Sequence, residues 1–259
     1  MASEPAVVLT PAAAVTILPV GGVPEVRPTA DLAALLCAAI EVSVGGLVAG
    51  DIVVVASKVV SKAEGMQVAE NPVPGDEATR LAAITGFDAG EVELILMQSN
   101  AVLRSAPGVL VVETVHGFVC ANAGIDRSNT GEAMALLLPL DSDASAARLR
   151  ERLARHFGVE VAVLVSDTFG RPFRYGLVNV ALGVAGMGAI HDYRGQVDPG
   201  GRALKGTELA VADELAGAAE LVMNKLDRVP AAVIRGYTWE RSEGGSARLR
   251  RDPAQDYFR

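Results

Sequence analysis

Cysteine, histidine and aromatic residues are scarce in this chain, and each shortage argues against a class of protein. The 259 residues include two cysteines, Cys37 and Cys120, and three histidines. Two distant thiols form no disulfide framework and no Cys-rich metal site, and three histidines argue against a His-rich zinc site. Aromatic residues make up 4% of the chain, so the core must be built mainly from Val, Leu, Ile and Ala. Cys120 lies in an apolar run and is predicted to be a small core residue.

Basic charge and long apolar runs are also lacking. No basic segment precedes an apolar one near the N-terminus, and no apolar stretch reaches the about 20 residues of a membrane span. The formal net charge of −8 argues against nucleic acid or an anionic membrane as a partner. We therefore expect a cytoplasmic protein of one large or two modest domains. A nucleotide stays possible, because a local pocket of cations can hold phosphates in an acidic protein.

Several widespread catalytic motifs are missing as well. No Gly-Lys pair occurs, which excludes a Walker A loop. The dinucleotide-binding pattern G-x-G-x-x-G, the zinc-protease pattern H-E-x-x-H and the hydrolase pattern G-x-S-x-G are absent too. Any catalytic site must therefore come from less familiar arrangements.

The hydrophobic pattern predicts a mixed α/β or α+β fold. Short β-branched runs predict strands at residues 51–56, 108–113, 117–121, 159–165 and 229–234, with a hairpin turn at 115–117. Helical periodicity predicts helices at 29–40 with Thr29 as N-cap, at 142–157 ended by Gly158, and at 210–226. Residues 169–206, rich in Gly and Arg, are predicted to be a long irregular segment, and residues 240–259 a loop or tail.

Two aspartates follow predicted strands. Asp126 comes after the strand 117–121, and Asp167 lies between Ser166 and Thr168 after the strand 159–165. Carboxylate and hydroxyl oxygens at a strand end suit a divalent cation, although such an Asp can also simply cap a turn. Ligands of α/β sheets gather at the carboxyl edge of the strands, so two such aspartates favour a shared metal.

Cationic residues accompany both aspartates. Lys58 and Lys62 are spaced for one helical face and are either solvated or in contact with phosphate. Arg171, Arg174 and Arg194 can hold carboxylate or phosphate, or can pair with the surplus acidic residues. Together the residues suggest Mg²⁺ or Mn²⁺ on aspartates with cations around phosphate, a phosphoryl-transfer site without a P-loop.

The order of these motifs resembles the coenzyme F420-0:L-glutamate ligase family. The matching segments are residues 18–20, 56–62, 120–129, 166–174, 192–195 and 211–215, within a resemblance that covers about residues 15–247. It implies two intertwined α/β subdomains in a ligase domain of residues 1–247, commonly a homodimer. It further implies GTP, two Mg²⁺ or Mn²⁺ ions and K⁺ as ligands, with F420-0 and L-glutamate as substrates.

The resemblance also assigns roles to individual residues. GTP would contact Leu18, Pro19, Val20, Gly21, Ser57, Lys62, Asn129, Glu243, Gly244, Gly245 and Ser246. Asp126 and Asp167 would bind one divalent ion, and Thr168 and Glu243 a second. Arg171, Arg174 and Arg194 are our hypothesis for the anionic parts of F420-0 or glutamate.

The implied reaction forms an acyl phosphate on F420-0 and then an amide with glutamate, giving F420-1 and, through a γ-linkage, F420-2. No covalent protein nucleophile is expected. Residues 248–259 resemble the linker that leads, in actinobacterial bifunctional members, to a C-terminal nitroreductase-like domain, and we expect short glutamate tails without that domain. The alternatives are an amide ligase of the same fold with another acceptor, and a non-catalytic nucleotide-binding module.

Overall fold

A computed structural model describes residues 14–69, 72–127 and 134–256 of the chain. Its elements are β1 (Thr16–Val20), α1 (Leu32–Val44), β2 (Ile52–Ala56), α2 (Ser57–Ala63), β3 (Gln67–Ala69), α3 (Asp76–Thr85), α4 (Ala89–Met97), β4 (Ser99–Ala106), β5 (Val109–Thr114), β6 (Val119–Ala121), β7 (Met134–Leu136), α5 (Ser142–Phe157), β8 (Ala162–Arg171), β9 (Arg174–Met187), β10 (His191–Asp192), β11 (Glu208–Leu209), α6 (Val211–Met223), β12 (Ala231–Arg235) and β13 (Arg241–Ser242). Among these residues, no helix is both long and apolar enough to cross a membrane.

The largest sheet has six strands in the order β1-β12-β2-β8-β9-β13. The central pair, β2 and β8, is parallel, and the other neighbours are antiparallel. Both central strands carry uninterrupted apolar runs, as expected for strands that are buried on both faces. Val53 and Val55 of β2 join one core cluster, whereas Ile52 and Val54 join another on the opposite face.

Helices cover both faces of this sheet. Leu36 and Ile40 of α1 pack with Leu149 and Leu153 of α5 on one face. Leu215, Ala219 and Met223 of α6 pack on the other face. The result is a three-layer arrangement, which confirms the predicted α/β class.

A smaller unit lies between α2 and α5 in the chain, and we call it the small module. It comprises α3, α4, the sheet β4-β5-β6 and the antiparallel pair β3 and β7. Its own core is formed by Ala78, Leu81, Val92, Ile95, Leu110, Val112 and Ala123. The main sheet resumes after it with β8, so two α/β units share the chain in an interrupted order.

Several predicted elements are confirmed by the structure. Helix α5 spans the predicted residues and ends at Gly158, whose φ of 69° is the left-handed conformation of a helix C-cap. The hairpin of β5 and β6 is present, and Cys120 is buried. Thr29 is not the cap of α1; the side chain of Asp31 accepts the N–H of Ala34 at 3.1 Å instead.

The prediction of an irregular segment over residues 169–206 is wrong for its first half. Strand β8 continues to Arg171, and β9 forms a hairpin with it over Arg174–Met187. The glycines of β9 reflect close packing of the backbone rather than a loop. A Cβ atom at Gly183 would lie 2.1 Å from the backbone oxygen of Ser142, at the start of α5.

The C-terminal segment contacts the rest of the molecule as far as residue 250. Strand β13 pairs with the end of β9. Arg248 binds Glu208 at 3.0 Å, and the guanidinium of Arg250 lies 5.5 Å from the ring centroid of Phe118. The domain boundary at residue 247 stays a prediction.

We predict that Gly183→Ala destabilises the fold by about 3 kcal/mol or more, because backbone atoms of α5 cannot make room for the added methyl group. The midpoint of urea unfolding measures the effect. Gly206→Ala is the matched control, since a Cβ atom there meets nothing within 4 Å. Equal midpoints for the two variants would contradict the close contact between β9 and α5.

Candidate active site

A cleft of about 730 Å³ opens beside the central strands. Ala56, the last residue of β2, lies opposite Ser166 of β8, so the parallel pair brings the residues that follow both positions to one edge. The cleft is lined by residues 23–26, 56–59, 62, 126, 166–168, 179, 220, 223–226 and 228–230. Six separate parts of the chain therefore build one cavity.

Asp167 lines this cleft and is partly buried. The N–H of Thr168 donates to its Oδ1 at 2.8 Å. Burial raises the pKa of Asp167 to about 6, and the carboxylate of Asp126 adds to the rise. The ammonium of Lys225 and a hydrogen bond from Ser57 lower the pKa, but by less. A desolvated carboxylate of this kind gains free energy when a cation binds.

Asp126 reaches the cleft from the small module. Its backbone N–H donates to the oxygen of Leu136 at 3.0 Å, and the reverse bond is 2.8 Å. Its carboxylate forms an ion pair with Lys58 of α2, and both side chains are about one third exposed. The structure thus places Asp126 and Asp167 in the same cleft.

Helix α2 confirms the predicted common face of Lys58 and Lys62, since both line the cleft. Lys62 is buried and forms an ion pair with Glu25, which lowers the pKa of that carboxyl group. Ser57, at the start of the same helix, lies beside Asp167.

Ser166 is 1% exposed, and within the described ranges its Oγ has no hydrogen-bond partner. A buried hydroxyl without a partner costs about 1–3 kcal/mol, and Ser166 lines the cleft. The buried Oγ of Ser166 is thus a polar atom of the cleft wall that the described residues leave unsatisfied.

The cleft fits a divalent cation that shares its shell with substrate. Asp126, Asp167 and Thr168 offer oxygen donors of the kind that Mg²⁺ and Mn²⁺ prefer. Among the residues that the structure describes, no group of three His, Cys, Asp or Glu side chains could enclose a metal. Mg²⁺ commonly binds through one or two carboxylates and completes its shell with phosphate oxygens and water.

Two parts of the predicted nucleotide site are not brought into the cleft. Leu18, Pro19 and Val20 belong to β1, which pairs with β12, and the oxygen of Gly21 accepts the hydroxyl of Ser43 at 3.1 Å. The cleft wall is formed by the next residues, 23–26. Asn129 lies outside the described residues.

The predicted loop of Glu243, Gly244, Gly245 and Ser246 lies at the other end of β9. Strand β13 pairs with Gly186, whereas Thr168 pairs with Asn179, seven residues away; at about 3.3 Å per residue the separation is roughly 23 Å. Ser246 donates through its N–H and Oγ to Asp143, at 2.9 and 3.0 Å. A metal-binding role for Glu243 stays a prediction, because a single chain does not bring it near Thr168.

None of the three predicted substrate arginines lines the cleft. Arg171 and Arg174 flank the exposed turn between β8 and β9, and Arg171 donates to the oxygen of Tyr175 at 2.9 Å. Arg194 donates to Asp192 at 2.9 and 3.0 Å and holds the pKa of that carboxyl at about 2. In this structure Arg194 is therefore paired with acidic residues, the second of its two predicted roles.

Sequence reasoning missed the loop after α6, which supplies Lys225 and Arg228 to the cleft. Asn224 and Arg228 have φ values of 50° and 54°, and Asn224 accepts the N–H of Lys225 at 2.7 Å. The side-chain amide of Asn224 also donates to Asp227 at 3.0 Å. The signal available in the sequence was an Asn-Lys pair shortly before Pro230 at a helix end.

The fold and the cleft define an α/β protein whose carboxylates, hydroxyls and lysines converge on one cavity. The sequence profile of the family described as F420-0:Gamma-glutamyl ligase matches residues 22–236. Coenzyme F420:L-glutamate ligase of Methanothermobacter thermautotrophicus is 47% identical over 95% of this chain and 99% of its own. Enzymes of the same name from Methanopyrus kandleri and Haloarcula marismortui are 43% and 44% identical, over 91% and 94% of this chain and 94% and 95% of theirs. The chain belongs to the F420-0:gamma-glutamyl ligase family.

We predict that Asp167→Asn stabilises the metal-free protein at about pH 8, because it removes an ionised carboxylate that burial disfavours. The pKa of Asp167 is higher in the folded state, so this cost appears as the pH rises from 3.8 to about 6 and disappears below that range. We expect a gain of up to about 3 kcal/mol at pH 8 that is lost by about pH 4, measured by urea unfolding.

Asp192→Asn is the matched control. Arg194 lowers the pKa of Asp192, so removing the Asp192 carboxylate should give no such gain in stability. A gain for Asp167→Asn that did not depend on pH would show that ionisation is not its cause.

Proposed function

We propose that this chain joins L-glutamate to F420-0 through an amide bond, with GTP as phosphoryl donor and a divalent cation as cofactor. The main observation behind this proposal is that Asp126 and Asp167 line one cleft together with Lys58, Lys62 and Lys225. Membership of the ligase family and three relatives named coenzyme F420:L-glutamate ligase support the substrates. The alignment covers 99% of the Methanothermobacter thermautotrophicus relative. The activity in that relative's name therefore belongs to a protein that this chain matches over almost its whole length.

The proposed reaction has two steps. A carboxylate oxygen of F420-0 attacks the γ-phosphorus of GTP, the bond from that phosphorus to the bridging oxygen breaks, and GDP leaves. The amine of glutamate then attacks the acyl carbon of the acyl phosphate, inorganic phosphate leaves, and the nitrogen loses a proton. A second round through a γ-linkage converts F420-1 into F420-2.

Positioning and charge neutralisation are the contributions expected from the protein. A bound Mg²⁺ or Mn²⁺ would neutralise charge on the phosphate oxygens. Asp126 and Asp167 would hold it, with Thr168 at a second ion, and Lys58 and Lys62, which line the cleft, would contact phosphate. A thiol nucleophile is not needed, and burial raises the pKa of Cys120 to about 12.

The family resemblance supports further parts of the proposal. We include K⁺ as a third ion, a homodimeric assembly, and nucleotide contacts from residues 18–21, 57, 62, 129 and 243–246. The bridge between Lys58 and Asp126 connects α2 to the small module in the single chain. The proposed nucleotide would therefore meet side chains of both units.

Mass spectrometry of the products tests the proposal. The protein is incubated with F420-0, L-glutamate, GTP and Mn²⁺, and we expect a gain of one or two glutamates. Asp167→Ala should lower the rate by at least about 100-fold, because it removes a cation ligand. Asp198→Ala, in a distant surface turn where Asp198 accepts the N–H of Gly200, is the matched control and should keep the rate within about twofold.

The outcomes separate the alternatives. No mass gain from a folded protein that binds GTP would point to another acceptor acid. GTP binding with neither ligation nor metal-dependent GTP hydrolysis would support a non-catalytic nucleotide-binding module. Equal rates for Asp167→Ala and the wild type would remove Asp167 from the cation site.

We further predict that Lys225, rather than Arg174, holds an anionic substrate. Lys225→Met keeps the length of the side chain but removes a charge from the cleft, and should raise KM for GTP or F420-0 by about 10-fold or more. Arg174→Met changes an exposed turn and should alter either KM by less than about threefold. Steady-state kinetics measures both, and the reverse order would restore the arginine hypothesis.

A further inference from the structure

Three side chains form a continuous hydrogen-bonded chain along one wall of the cleft, which we call the Thr168–Asn179–Glu220 relay. Thr168 Oγ1 lies 2.8 Å from Asn179 Oδ1, and Asn179 Nδ2 lies 2.9 Å from Glu220 Oε2. Asn179 is 4% exposed, and all three residues line the cleft. The relay joins neighbouring strands β8 and β9 to helix α6.

The chemistry of the three groups fixes the direction of the relay. A carboxylate only accepts hydrogen bonds, so the amide nitrogen of Asn179 must face Glu220. The amide oxygen then faces Thr168, whose hydroxyl must donate its single hydrogen to it. Both lone pairs of Thr168 Oγ1 are left for a partner in the cleft, and the hydroxyl hydrogen points away from it.

The surroundings hold Glu220 in this place at a cost in stability. Glu220 lies in the last turn of α6, which contains no basic residue. A negative charge there opposes the helix dipole, typically by about 0.3–1 kcal/mol. Asp213, on the same helix, accepts the N–H of Ala181 at 2.9 Å and so ties α6 to β9 near Asn179. The hydrogen bond from Asn179 therefore holds Glu220 in place against an unfavourable helix dipole.

We propose that Asn179 and Glu220 are positioning residues that orient the hydroxyl oxygen of Thr168 toward a divalent cation. This inference rests on the proposed cation-dependent function. Without Glu220, the amide of Asn179 is free to rotate, and its NH₂ group would then donate to Thr168. The hydroxyl hydrogen would be released into the cleft, where it repels a cation. Residues that orient metal ligands typically contribute about 10–100-fold to metal affinity.

The first test measures Mn²⁺ binding to the purified full chain without substrates, by electron paramagnetic resonance and calorimetry. Asn179→Leu is nearly isosteric and leaves the charge of Glu220 in place. We expect it to weaken Mn²⁺ binding by about 10-fold. If Glu220 acts through its charge alone, this variant should lose no Mn²⁺ affinity. A purely structural role of Asn179 also predicts no loss, provided that thermal unfolding shows the variant to be folded.

The second test rebuilds the relay with exchanged groups. Asn179→Asp combined with Glu220→Gln keeps the net charge and keeps Thr168 as the donor to residue 179, while the hydrogen bond between residues 179 and 220 reverses its direction. Mn²⁺ affinity should therefore stay within about threefold of wild type. Glu220→Gln alone allows the amide of Asn179 to rotate and donate to Thr168, and should bind Mn²⁺ less tightly than the double variant. Glu214→Gln, an exposed position in the first turn of α6, is the matched control and should change nothing.

The outcomes are distinguishable. Wild-type protein that binds no Mn²⁺ would overturn the proposed cation site and the relay together. Wild-type binding with equal affinity in Asn179→Leu, or a single Glu220→Gln variant that binds as tightly as the double variant, would overturn the relay alone. Should Asn179→Leu fail to fold, Glu220→Ala in the cleft wall tests the same orientation and should weaken binding by about 10-fold. In kinetics, KM for Mn²⁺ should rise more than kcat falls.

Discussion

The parallel pairing of β2 with β8 decides where the cleft lies and which side chains meet in it. Ala56 opposite Ser166 brings the start of α2 beside Asp167. A shift of one residue in this register would turn Asp167 to the other face of the sheet. The register is held by apolar residues on both faces, which are fully buried in β2 and in the first part of β8. Packing of the core therefore supports the geometry of the polar site.

The cleft also carries unfavourable terms that the core must offset. Asp167 is desolvated, Ser166 has no hydrogen-bond partner within the described ranges, and Glu220 opposes the dipole of α6. Under the proposed function, a bound cation would relieve the desolvation of Asp167, and Glu220 would help to orient one of its ligands. Such local costs at a functional site are expected where binding, rather than folding, determines the residue. Under the proposed function, cation binding would be coupled at these positions to the stability of the metal-free protein.

The sequence supports prediction of the local features more readily than of the cleft. Helix α5 and the lysine face of α2 follow from spacing and caps that involve neighbouring residues. Asn179 could not be assigned in this way, because its partners Thr168 and Glu220 meet it only after the hairpin forms and α6 packs. Arg194 illustrates the opposite case, because Asp192, the carboxylate that accepts its hydrogen bond, lies only two residues away. Its role toward substrate stays a hypothesis. Glycines in β9 indicated a loop, although they permit close packing against α5.

The small module interrupts the main unit and contributes Asp126 to a site whose other carboxylate, Asp167, stands on the central sheet. The distance between these two carboxylates is therefore also a measure of how the two units are docked. A small rotation of the module about its connections would change the distance between the two carboxylates, which a bound cation would have to span. A cation held by both carboxylates would in turn restrict this rotation and so fix the two units relative to each other.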